Sequence, residues 1–214
     1  MLRILTVSLL SIVAIVFLPF WIAIRGAVFL YLQAGLHWIP AMLIGLAGST
    51  VVWVLYMRVA WSWMSGQRPS RTHLKRQFQI AGGLVLLFSL NALFNLSGRN
   101  AKNASVRAEY TQLHPFVRMS IGTLLLADPD LMVTDAQRQP EDYRSMGLTA
   151  RNQSLHYPQA TGYVHAADLR TRGRSWLRNG LLWIYFRALG LNTLRHGPVD
   201  HLHISLPVRG KRGI

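Results

Sequence analysis

Every acidic residue of this chain lies beyond position 100, and the first 98 residues carry only seven basic ones, Arg3, Arg25, Arg58, Arg68, Arg71, Lys75 and Arg76. Between those charges stand long apolar runs: Ile4 to Ile24, Trp38 to Met57, and Ile80 to Leu96, the last interrupted by Asn91 and Asn95. A helix crossing the hydrocarbon core needs about 20 apolar residues, so the runs read as three transmembrane helices at about 4–24, 38–57 and 80–96. The expected architecture is a multi-span α-helical membrane segment, residues 1–98, followed by a domain of different composition. The first run is longer than the roughly 7 to 15 apolar residues of a signal peptide and shows no small-residue cleavage site, so it is expected to stay as an anchor.

Orientation follows from Lys and Arg in the short connections. Arg58, Arg68, Arg71, Lys75 and Arg76 lie between the second and third runs, whereas Arg25 is the one basic residue between Arg25 and His37. The basic connection is expected in the cytoplasm with the N-terminus, which sends the chain after Gly98 to the outer side of a bacterial inner membrane, the periplasmic or extracytoplasmic face. Long domains translocate largely regardless of charge, so the many arginines of the C-terminal part do not oppose this topology.

A formal charge of +15 would ordinarily raise the question of nucleic acid. The basic residues are spread over two parts of the chain that face different solvents, and no nucleic-acid partner is expected. The surplus over residues 99–214 suits anionic partners such as cell-wall polymers or lipid headgroups. Asn91 and Asn95 stand one turn apart, as side chains do that hydrogen-bond to a neighbouring helix, and the three runs offer a surface for a membrane-protein partner. The first two runs hold no internal charge, so no ion path is indicated. The chain has no cysteine, which removes disulfides and thiolate metal sites and leaves His, Asp and Glu as ligands for any metal.

The polar, small-residue stretch 99–105 reads as a tether, and 106–214 as one compact domain. Val117, Ile121, Leu124 and Leu125 have helical spacing, closed by Asp128-Pro129-Asp130. Leu131 to Thr134 reads as a strand, Pro140 as a helix start, and Arg174 to Leu189 as a helix with Gly190 at its end. Asn192 to Arg195 and His201 to Leu206 read as further strands, giving a small α+β domain without regular βαβ alternation.

Within this domain Ser154-Leu155-His156, then Ala166-Ala167-Asp168-Leu169, then Asp200-His201-Leu202-His203 supply imidazoles and a carboxylate from separate segments, as a hydrolytic zinc site requires. In His201-Leu202-His203-Ile204 the strand period of two puts both imidazoles on one face and both aliphatic side chains on the other. A carboxylate flanked by Ala, Ala and Leu is placed for burial, and a buried charge needs a metal, a cation such as Arg170, or several hydrogen bonds.

These motifs together resemble the LAS metallopeptidases, the group of D-Ala-D-Ala dipeptidases and carboxypeptidases, murein endopeptidases and phage endolysins. Ser154, His156, Ala166, Asp168, Leu169 and His203 carry the resemblance, which covers roughly Leu131 to Leu206 and none of the membrane part. It implies the LAS fold for the domain and a zinc ion held by His156, Asp168 and His203. His201 matches the first His of members with His-x-His, and Asp200 stands where several members place a catalytic Glu; either is a candidate base. Participation of Asp200 requires the strand to begin after it. Val133 to Pro140 resembles the strand that ends in the family's Ser-Gly-Tyr-Arg type motif, which makes Arg138 the expected stabiliser of negative charge on substrate or intermediate.

The chain departs from the family at one point. Eleven residues separate His156 from Asp168, against six in the family, and Pro158 and Gly162 mark the excess as an extruded loop. His165, three residues before Asp168, is the alternative ligand to His156. The resemblance implies a membrane-anchored peptidase that hydrolyses amide bonds in peptidoglycan stem peptides. The alternative from another class is a non-catalytic peptidoglycan-binding or envelope-assembly module that keeps the fold without turnover.

Overall fold

The computed structural model describes residues 2–67, 70–145, 147, 149, 153–196 and 201–208, with the side chains of 2–15 and of His196 outside the description. The chain divides into two compact units, Met1–Ser89 and Leu90–Ile214.

The first unit is helical: α1 Leu2–Leu32, α2 Trp38–Ser65 and most of α3, Arg71–Phe94. Among the described residues two helices, α2 and α3, are long and apolar enough to cross a membrane, and α1 contributes an apolar stretch over Val16–Leu32. The run expected at 4–24 therefore falls mostly on side chains outside the description. The basic connection expected between the second and third runs is mainly helix, because Arg58 lies in α2 and Arg71, Lys75 and Arg76 in the first turns of α3. Small residues set the α1–α2 crossing: a Cβ on Gly45 would meet the Ala23 carbonyl at 2.2 Å and Ala27 at 3.1 Å. Backbones approach that closely only where side chains are small, and such contacts hold apolar helices together where hydrophobic exclusion from water is absent.

The second unit begins inside the last turn of α3. Tyr110 donates its hydroxyl to the Ala92 carbonyl at 2.7 Å, and the Arg118 guanidinium donates to the Leu93 carbonyl at 2.6 Å, so two carbonyls left open by the helix end are satisfied by this unit. The expected tether is instead packed structure. Gly98–Asn100 forms a 3-10 turn, Asn100 is buried and donates to the carbonyls of Pro129 and Leu131, and Ala101 bridges Val133. Polar, small composition points to a tether, whereas the Asn100 amide is committed to two carbonyls of a buried turn.

After that turn come α4 Ala104–Glu109, α5 Pro115–Ala127, β1 Val133–Asp135, α6 Pro140–Ser145, β2 Ala166–Arg170, α7 Trp176–Ala188, β3 Asn192–His196 and β4 His201–Ser205. Pro115 opens α5 at a position where its missing N–H costs nothing, and the His114 side chain caps the same end by accepting from the Phe116 N–H. The four strands form one antiparallel sheet in the order β1-β2-β4-β3. Leu169 pairs with Leu202 and Ala167 with Ile204 on one face, all buried, while Asp168 pairs with His203 and Arg170 with His201 on the other. The four aliphatic side chains, Phe116 and Val117 of α5, and Leu182 and Phe186 of α7 are all among the buried core residues of this unit.

Two glycines test this packing with opposite signs. A Cβ on Gly122 of α5 would stand 2.5 Å from the Ala92 Cβ, so Gly122→Val is expected to cost about 1 to 3 kcal/mol by overpacking. Nothing lies within 4 Å of a Cβ on Gly180 of α7, so Gly180→Ala is expected to gain about 0.5 to 1 kcal/mol from helix propensity. Denaturant unfolding of both variants in detergent, followed by circular dichroism, checks the pair.

Candidate metal centre

His156 reaches the site from a loop that is anchored at both of its polar ends. Its N–H donates to Ser154 Oγ at 3.2 Å, and that hydroxyl also bonds the Tyr143 hydroxyl at 2.7 Å. Its carbonyl accepts from the Arg138 N–H at 3.0 Å. The ring Nδ1 lies 2.6 Å from the Ala136 carbonyl. A carbonyl only accepts, so Nδ1 carries a proton there and Nε2 is the ring atom aimed inward, an arrangement that fixes ring orientation in metal-binding histidines.

Three ligating atoms meet there. His156 Nε2 is 3.2 Å from His203 Nδ1 and 3.5 Å from Asp168 Oδ1, and His203 Nδ1 is 2.9 Å from Asp168 Oδ1. Bond lengths of about 2.0 to 2.2 Å at tetrahedral angles put neighbouring zinc ligands about 3.3 Å apart. The three separations bracket that value. Asp168 and His156 are each 2 % exposed, while His203 is half-buried, so the group is closed on the protein side and opens past His203.

Asp168 has two oxygens with different duties. Oδ1 faces the imidazoles; Oδ2 takes an ion pair from Arg138 Nη2 and lies 3.6 Å from His201 Nε2. Burial by itself pushes this carboxyl up, but hydrogen bonds from His156 and His203, and the charge of those rings, outweigh it and hold the group well below the usual carboxylate range. Arg138 is fixed in turn: its Nε donates to Asp135 at 2.7 Å and its guanidinium lies over the Tyr143 ring. Burial opposes the Arg138 charge, and Asp168 and Asp135 more than restore it.

The residues singled out in the sequence fall as follows. His156, Asp168 and His203 converge as a group able to hold a metal ion, the one such group found among the described residues. His201 lies on the same strand face as His203, two residues away, and β4 begins at His201. Asp200 lies outside the described residues. Arg138 sits on the carboxylate and is not held apart from it, and the cation paired with Asp168 is Arg138, while Arg170 is exposed. The excess residues between His156 and Asp168 form a small hairpin, with Gln159 and Gly162 in its turn and Pro158 bridged to Val164, so the lengthened loop leaves the ligands together.

His165 is outside the group. It is fully buried, its Nε2 bonds Thr161 Oγ1 at 2.8 Å, and its ring packs edge-on against His114. Two contributors escaped the sequence reading. The Ala136 carbonyl has no signature in sequence; Asp135 stands three residues before Arg138, a spacing that was on view but had no pairing partner to give it meaning. No family model, no curated protein and no solved structure matches this chain.

Arg138 touches no ligating atom except through Asp168, and removing a group that orients a ligand costs about 10- to 100-fold in metal affinity. Arg138→Gln is expected to weaken zinc binding by that factor and His203→Ala to abolish it, as read by titration calorimetry on the detergent-solubilised chain. His165 gives a pH signature. Burial pushes its imidazole down from 6.5 to about 4, so between those values the unfolded chain binds a proton that the folded chain does not. Stability is then fully present above about pH 6.5 and falls by up to about 3 kcal/mol as pH drops to 4. Unfolding of wild type and His165→Phe across that window should show a shallower pH slope in the variant.

Proposed function

We propose that this chain is a membrane-anchored zinc-dependent peptidase of the LAS type, hydrolysing amide bonds in peptidoglycan stem peptides on the outer side of a bacterial inner membrane. The observation that carries the reading is the convergence of His156 Nε2, Asp168 Oδ1 and His203 Nδ1 at tetrahedral separations, with one side left open. Two imidazoles and a carboxylate make a zinc donor set, and three protein ligands leave a fourth position for chemistry. The motif order His156, Asp168, His203 and the antiparallel strand pair that carries the last two add support from the sequence resemblance. When bound, the ion supplies Lewis acidity and a coordinated water whose pKa falls to about 7.

The chain's own side chains supply the rest. Asp168 and His203 face each other across β2 and β4, so the sheet fixes their spacing. His201 lies on the same face at the open side; as base it takes a proton from the attacking water and returns it to the leaving amine when the C–N bond breaks. Arg138 holds Asp168 by its second oxygen and brings positive charge to the side where the carbonyl oxygen becomes negative. Its primary part is to position Asp168.

Topology rests on charge and composition. Arg58, Arg71, Lys75 and Arg76 cluster where α2 ends and α3 begins, beside Trp61, whose ring packs against His73, and Trp63. Basic residues in a short connection favour the cytoplasmic side, which supports the reading that the second unit lies outside, within reach of the wall.

Digestion of purified sacculi by the detergent-solubilised chain tests the reading, with products identified by mass spectrometry. Wild type is expected to release peptides cut at an amide bond, Asp168→Ala none, and His201→Ala to retain zinc while turning over about 10²- to 10⁴-fold more slowly, the range for loss of a general base. Sacculi bound but uncut by wild type and Asp168→Ala alike would favour a non-catalytic wall-binding module.

A further inference from the structure

Helix α7 is apolar on the side that faces away from its own domain. Its buried side is Asn179, Leu182 and Phe186, locked down by the Tyr185 hydroxyl on the Ser120 carbonyl and the Asn179 amide on the Thr171 carbonyl. At 3.6 residues per turn the opposite side is Leu177, Gly180, Leu181 and Ile184, flanked by Trp176 and Trp183. Leu177, Leu181 and Ile184 are each more than half exposed, and Trp176 is 82 % exposed. A surface helix ordinarily turns charge outward at these positions.

The helix contains no acidic residue, and Arg187 lies over the Trp183 ring at 5.5 Å on the rim of the face, with Arg172 exposed just before the helix. Arg178 on the other rim is paired with Asp128. Tryptophan beside an aliphatic stripe and rimmed by arginine is the chemistry of a helix lying in the headgroup layer of an anionic bilayer, rings at the boundary and guanidinium groups on phosphate. The last turn of α3, a helix long and apolar enough to span a membrane, belongs to the same compact unit as α7.

We propose that α7 is an interfacial helix whose Leu177, Leu181 and Ile184 face lies in the bilayer that carries this chain, with Trp176 and Trp183 at the headgroup boundary.

The chain has no cysteine, so single cysteines at Leu177, Ile184 and, as a control on α6, Glu141 can carry an environment-sensitive fluorophore. The full chain is reconstituted in vesicles of phosphatidylethanolamine and phosphatidylglycerol, with a brominated lipid as quencher. Labels at 177 and 184 are expected to emit to the blue of the label at 141 and to be quenched several-fold more strongly by the brominated lipid. Leu181→Glu should abolish the quenching at 177 without loss of circular dichroism signal. Water-like emission at all three positions would overturn the proposal. So would protection at 177 and 184 that resists brominated lipid and grows with protein density, because the face would then be covered by a second copy of the chain.

Discussion

One carboxylate organises the second unit. Asp168 is almost wholly buried on the central pair of strands, and a buried charge of that kind costs several kcal/mol unless it is paired and hydrogen-bonded on every side. Four side chains do this here: His156 and His203 at one oxygen, Arg138 and His201 at the other. Each of them comes from a different stretch of chain or a different position in the sheet register. The requirement to satisfy Asp168 therefore ties β2 to the 136–138 segment, the His156 loop and β4.

Those ties are mutual. His156 is aimed by the Ala136 carbonyl, and Arg138, two residues on, returns a backbone bond to the His156 carbonyl while its side chain pairs with Asp168. Thr134 Oγ1 donates to the Asp168 carbonyl, fixing the strand that carries it. The three groups able to hold a metal ion are thus placed by the protein's own hydrogen bonds. The fold also explains how a small unit supports a polar cluster: on the central strands β2 and β4 the opposite face is aliphatic, Ala167, Leu169, Leu202 and Ile204, and the unit extends its core by taking in the end of α3.

Much of this was readable in the sequence, for reasons that differ by element. The two long helices followed from unbroken apolar runs, since no folded alternative leaves so much apolar chain without charge. The strand at His201 to Ser205 followed from alternation, which also placed both imidazoles on one face. The convergence of His156, Asp168 and His203 was legible because such residue types are rare in apolar context. Three things were not legible. The tether at 99–105 was read from composition, and composition is blind to Asn100 donating to two distant carbonyls. The ends of α2 and α3 ran past the apolar runs because arginine and lysine are good helix formers whose long stems let the charge reach water from within a helix. The pairing of Arg138 with Asp168 depends on a contact across 30 residues that spacing cannot express.

The account's central claim is that His156, Asp168 and His203 share one zinc ion. X-ray absorption at the zinc edge, on the full chain in detergent after loading and removal of excess metal, addresses it directly. The account predicts one zinc per chain with nitrogen and oxygen neighbours only, at about 2.0 to 2.2 Å, and an outer-shell scattering pattern that fits two imidazoles. A spectrum that needs one imidazole or none, or one that His203→Ala leaves unchanged, would contradict it.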